Sequence, residues 1–177
     1  MSDEQQIANL IFELALYRDQ GQWDEAAAML EHATFESHYP AQYAGVGHTA
    51  EQVAARAPGT TGRQRGAAEI AELFRSTARL YEDGRPHTQY VTTNLWIEVD
   101  EDRAAALARS YYMVLQSRPD FPLQVISAGR YVDRFERVHG KWRFAARDCF
   151  ADHTGDLSHH LSADPVEYGE KFVARSG

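Results

Sequence analysis

The sequence predicts an α+β fold in which a strongly curved antiparallel sheet wraps around three N-terminal helices, forming a cone with an internal apolar pocket. Three observations carry this prediction. First, His87 to Phe150 reads as three long β-strands and a return through Lys141 to Phe150. Thr88–Val99, Arg103–Ser117 and Leu123–Val138 are rich in β-branched and aromatic residues, nearly alternate, and break at Asp100-Glu101-Asp102, at Pro119-Asp120-Phe121-Pro122 and at His139-Gly140. Second, strands of roughly 10–15 residues, against a usual ~5–6, must twist and coil. The concave face of such a sheet has to be filled by helices or by a ligand. Third, helical periodicity is concentrated ahead of these strands, the order expected of helices segregated to one face of a sheet.

Taking the elements in order, Ser2 with Gln5 forms a capping box for a first helix. Ile7, Leu10, Ile11, Leu14 and Tyr17 give it an apolar stripe, and Asp19-Gln20-Gly21 ends it. A short second helix runs from Trp23 to Leu30, and Ala33–Tyr39 alternates as a first strand. Residues 40–65 form a long excursion containing a possible helix at Thr49–Ala57. Such a length inside a compact domain is expected to be either a lid or binding loop or a disordered surface loop. A third helix spans Gly66–Tyr81, with Ile70, Leu73, Phe74, Thr77, Leu80 and Tyr81 on its apolar side. Residues 152–177 form a tail expected to wrap the outside. The 177 residues fit one domain.

The formal charge of −8 argues against nucleic-acid or acidic-membrane partners, which call for clustered Lys and Arg. No apolar run approaches the ~20 residues of a membrane span. The N-terminus lacks the basic start of a signal peptide. A single cysteine, Cys149, rules out an internal disulfide and fits a reducing compartment, so a cytoplasmic location is expected. No Rossmann glycine pattern, P-loop or GxSxG elbow is present. The eight histidines lack metal-ligand spacing backed by a carboxylate, so neither cofactor nor metal is expected.

Four segments resemble SnoaL-like proteins of the nuclear transport factor two superfamily. They are Tyr17-Arg18-Asp19-Gln20-Gly21-Gln22-Trp23, Thr92 to Asp100, Gly129 to Arg137, and Gly140 to Arg147 followed by Gly155-Asp156-Leu157-Ser158. The resemblance covers most of the chain except residues 40–65. The family includes polyketide cyclases, scytalone dehydratase, lindane dehydrochlorinase and the small subunits of ring-hydroxylating dioxygenases. It implies pairing through the sheets, hence a homodimer. Where such enzymes use an Asp–His dyad, the Asp ends the first helix, which is Asp19 here. The His lies four residues before the Asn of Thr92-Thr93-Asn94, and here that position is Tyr90. His87 is three residues earlier, on the opposite face of a regular strand. The resemblance also places Arg147 on the last strand, facing the cavity.

These residues suggest acid–base chemistry. A partly desolvated Asp19 has a raised pKa suited to proton transfer, and Tyr90 can donate a hydrogen bond to a developing oxyanion. The substrate is then a small, mostly apolar oxygenated molecule of polyketide, terpenoid, steroid or aromatic type. Arg147, Tyr17, Trp23, Phe35, His38, His87, Tyr112 and Phe74 are the expected substrate-binding residues. The competing readings are that Asp19 merely caps the turn, that Arg147 pairs with Asp148, Asp133 or Glu136, and that the aromatic residues are ordinary core. Function therefore divides between a cofactor-free lyase, isomerase or cyclase and a non-catalytic binding or subunit module.

Overall fold

A computed structural model describes residues 1–38 and 63–162. Helix α1 (Asp3–Asp19) and the short α2 (Trp23–Ala28) lead into β1 (Thr34–His38). After β2 (Arg63–Arg65) come α3 (Gly66–Thr77), β3 (Thr88–Val99), β4 (Ala105–Arg118), β5 (Phe121–Val138) and β6 (Lys141–Thr154). The strands form one curved sheet in the order β2-β1-β6-β5-β4-β3. All neighbours are antiparallel except β1 and β6, which run parallel from Thr34 beside Ala146 to His38 beside Phe150. The α+β cone is thus borne out.

Four differences from the sequence reading have physical causes. The return through Lys141 is a full 14-residue strand paired along β5, so the meander has four strands. Arg63–Arg65, expected within a loop, pairs with β1 as an edge strand. The proposed helix at Thr49–Ala57, most of the expected lid and the end of the tail lie outside the described residues. Helix α3 stops at Thr77 because the Ser76 and Thr77 hydroxyls bond back to the Leu73 carbonyl and weaken the last turn. The following backbone then pairs with the tail: Arg79 N–H donates to the His160 carbonyl, and Ser162 N–H to that of Thr77. The tail from Gly155 to Ser162 therefore folds inward against α3 instead of wrapping the outside.

Helix α1 is held at its start by two sets of contacts. Gln5 N–H donates to the Ser2 hydroxyl at 3.2 Å, the first half of the expected box; the Gln5 side chain instead bonds Asn9. The buried Asp3 carboxylate accepts from Trp142 Nε1 at 3.1 Å and from Arg103 Nη1 at 2.8 Å. The Trp142 bond, with the Arg103 and Arg137 charges, keeps its pKa below the ordinary carboxylate value. Ile7, Ile11 and Leu14, farther along the helix, are fully buried. They pack in a core with Trp23, Phe35, Ile70, Phe74, Phe135 and Phe144. A second apolar cluster of Tyr112, Val114, Phe121, Ile126 and Tyr131 lies under β4 and β5.

Sheet curvature is built at defined irregularities. The β3–β4 register shifts between Thr93 and Trp96, where Asn94 takes φ 51°, a left-handed conformation that Asn tolerates. The β5–β6 register shifts beside Gly129, where the Phe150 carbonyl approaches so closely that no side chain fits. Along β4, Ala106, Ala108, Ser110, Tyr112, Val114 and Gln116 face inward and the opposite parity faces out.

Candidate functional site

A cavity of about 140 Å³ lies between the two apolar clusters. Its wall takes Phe74 from α3, Phe35 from β1, Tyr112 from β4 and Tyr131 from β5, with Tyr112 and Tyr131 stacked at 4.4 Å. Three larger polar side chains line it, Arg18 near the end of α1, Tyr90 on β3 and His160 in the inward-folded tail, beside the small Ser37, Thr77, Ser127 and Thr154.

Arg18 donates from Nη2 to the Tyr90 hydroxyl at 2.7 Å. Its guanidinium carbon sits 4.2 Å from the centroid of the Tyr90 ring and 4.8 Å from that of Phe74, so aromatic faces partly offset its burial. Its enclosed Nε has no hydrogen-bond partner among the described residues. Asp19, the next residue, turns away from the cavity wall. Its two oxygens accept the Tyr90 main-chain N–H at 2.9 and 3.2 Å. Burial raises its pKa to about 6, against the opposing effects of that hydrogen bond and the Arg18 charge. Tyr90 is therefore gripped at its backbone by Asp19 and at its hydroxyl by Arg18.

Of the residues expected to contact substrate, Phe35, Phe74, Tyr90 and Tyr112 line the cavity. The others are placed differently, and Asp19, as described, is not on the wall. Arg147 is buried in a two-point pair with Asp133, both bonds 2.7 Å, because inward positions of β5 and β6 face each other there. Trp23 is core, packed against Phe74. Tyr17 bonds Glu13 one turn back along α1. His38 bonds Asp148 at 3.1 Å and stacks on Phe150. His87 takes φ 55° and pairs with Asp83 outside the cavity.

Two site residues escaped sequence reasoning. Arg18 continues the fully buried series Ile7, Ile11, Leu14 with the same 4-3-4 spacing, and an arginine on the apolar stripe of a helix was the available signal. His160 sits between Leu157 and Leu161, which line the cavity with it. The i, i+3, i+4 spacing of Leu157, His160 and Leu161 was the corresponding clue in the tail. The His160 Nδ1 is enclosed without a partner among the described residues. Burial, with the Arg18 charge acting in the same direction, lowers its pKa to about 4, so the ring is neutral near pH 7.

Among the described residues, Glu36, His38 and Asp148 bring potential metal-ligand atoms within 4.8 Å of one another. The Arg63 guanidinium already holds Glu36, and Arg134 and His38 hold Asp148, so the cluster is an ion-pair network. Cys149 donates to the Tyr112 hydroxyl at 3.8 Å, and burial raises its pKa, the opposite of an activated thiolate. No described helix is long and apolar enough to cross a membrane.

The fold has solved counterparts. One is an NTF2-like protein with a cystatin-like fold from Novosphingobium aromaticivorans, 15% identical, covering 89% of this chain and 86% of that one, with a TM-score of 0.60. A second, from the same organism, is the β subunit of a candidate aromatic-ring-hydroxylating dioxygenase, 17% identical, covering 86% and 90%, TM-score 0.62. A third, also from that organism, is a candidate scytalone dehydratase, 17% identical, covering 88% and 91%, TM-score 0.59. At these identities the likeness is one of fold. Among curated proteins no relative matches the sequence. Residues 1–148 match the SnoaL-like domain, and the chain belongs to that family.

Proposed function

We propose that this protein is a cofactor-free lyase, isomerase or cyclase that moves a proton on a small, mostly apolar oxygenated molecule held in the cone. The observation that carries this reading is the Arg18–Tyr90 pair, 2.7 Å apart, presented together to an aromatic-walled cavity. A substrate oxygen seated on these donors would gain negative charge as a proton leaves the adjacent carbon. A preformed guanidinium and a phenol hydroxyl fixed beside each other stabilise that charge without reorganisation. His160 is the proton acceptor in this scheme: it lines the cavity, is neutral near pH 7 and keeps an unengaged ring nitrogen. Asp19 acts as a positioning residue through the Tyr90 backbone.

The volume of about 140 Å³ suits a ligand of about one ring, since a cavity of roughly 150 Å³ accommodates benzene. The test is deuterium exchange. A panel of monocyclic aromatic and terpenoid carbonyl compounds is incubated with the protein in D₂O and followed by NMR. Exchange or elimination that disappears in His160→Gln and falls in Tyr90→Phe supports the proposal. Turnover that survives His160→Gln but is lost in Asp19→Asn would return the proton-transfer role to Asp19.

A second reading, a non-catalytic binding or subunit module, draws on the likeness to the dioxygenase β subunit and on the engagement of both Asp19 oxygens by main chain. Tyr111 and Met113, exposed on the outer face of β4, would suit pairing of two sheets in a homodimer. Absence of both exchange and ligand binding across the panel would favour this second reading.

A further inference from the structure

We infer that the ligand of this cavity carries an anionic group, a carboxylate in the simplest case, and that Arg18 is its counter-ion. The inference deepens the functional reading above and rests on it.

The charges around the cavity lead there by elimination. Two arginines, Arg147 fully buried and Arg18 half-buried, lie in this part of the fold, and they are treated differently. Arg147 is neutralised by Asp133 through two 2.7 Å hydrogen bonds. Arg18 has no carboxylate within 4 Å among the described residues. Its sequence neighbour Asp19 is turned to the Tyr90 N–H, and the only side-chain hydrogen bond Arg18 makes among the described residues runs to a neutral phenol. His160, on the same wall, adds no negative charge, and the Cys149 thiol is protonated. Among the described residues, the Arg18 charge at the cavity is therefore paired with no carboxylate.

A guanidinium stays protonated inside a protein, so burial without a counter-ion is costly. The Tyr90 and Phe74 ring faces offset only part of that cost. The enclosed Nε, without a hydrogen-bond partner among the described residues, adds to that cost, while the Nη end of the guanidinium meets the Tyr90 hydroxyl at the cavity. Carboxylates match guanidinium donors in geometry and charge. The remaining wall, with Phe35, Phe74, Tyr112 and Tyr131, takes the apolar body.

The test compares two one-ring probes of nearly equal shape, benzoate and benzamide, by isothermal titration near pH 7. Wild-type protein should bind benzoate about 10- to 100-fold more tightly than benzamide, the range for a charge-assisted contact. Arg18→Gln should bring benzoate down toward the benzamide level, abolishing the preference, and Arg18→Lys should recover part of it. Because the wild-type comparison needs no variant, poor folding of Arg18→Gln does not remove the test. Benzamide binding as tightly as benzoate would overturn the anionic ligand while leaving a ligand-binding cavity in place. If neither probe binds, the cavity reading and the anion inference fall together.

Discussion

The Asp19 carboxylate holds the main-chain N–H of Tyr90 between its two oxygens, at 2.9 and 3.2 Å. This contact joins the last residue of α1 to the beginning of β3 and sets where the Tyr90 ring enters the cavity. Asp19→Ala removes the acceptor and leaves a part-buried N–H unsatisfied, which should cost about 1–3 kcal/mol. Asp19→Asn keeps an acceptor oxygen and should fold normally. Denaturant unfolding of the two variants checks this. Equal destabilisation by both would show that the contact depends on the charge of Asp19 instead of on its oxygen.

Gly129 is predicted to be intolerant of any side chain. A Cβ there would lie 1.8 Å from the Phe150 carbonyl oxygen and 3.0 Å from the Asp152 nitrogen, both main chain. Relief would require β5 and β6 to separate at the bulge that curves the sheet. Gly129→Ala should therefore cost more than about 3 kcal/mol, at the exceptional end for a single substitution. It should also lower soluble yield. A midpoint of thermal unfolding within a few degrees of wild type would contradict the placement of this bulge.

The Arg147–Asp133 pair spans β5 and β6 with both partners almost fully buried. Asp133→Ala strands a guanidinium in the core and should cost about 3–5 kcal/mol. Replacing both residues by apolar ones of similar volume, as in Asp133→Leu with Arg147→Met, should recover most of that loss. Unfolding of the single and double variants forms the cycle. Strict additivity of the two single losses would mean that the pair is not coupled.

The meander was legible because long alternating strands with turn residues between them leave few alternatives, and the 3.6-residue stripe of α1 was equally plain. What the sequence concealed depended on tertiary proximity. Arg18 and Asp19 both end α1, and nothing local says that the arginine reaches the cavity while the aspartate reaches main chain. Arg147 could be placed on an inward strand position, but its partner emerged only from the β5–β6 register. For His160 the spacing with Leu157 and Leu161 was only a weak clue, because the tail's inward course depends on pairing with the prematurely ended α3. Tyr90, Phe35, Phe74 and Tyr112 were found because an aromatic residue at an inward strand or helix position lines whatever space the cone contains.

Asp19 and His160 are predicted to pull stability in opposite directions over nearly the same pH range. Asp19 titrates near 6 when folded against a reference value of 3.8, so between these values the folded chain holds a proton that the unfolded chain has released. Stability from this group is lost as pH rises through that window. His160 titrates near 4 when folded against a reference value of 6.5, so its contribution is complete above 6.5 and is lost as pH falls toward 4. Each effect is on the order of 1–2 kcal/mol after allowance for partial solvent access, and in the wild-type protein they largely cancel. Removing one exposes the other. Relative to wild type, Asp19→Asn should become progressively more stable from pH 4 to pH 7, and His160→Gln progressively less stable. Urea unfolding of the three proteins at half-unit intervals measures both differences. A pH-independent difference for either variant would show that the residue does not titrate where its surroundings place it.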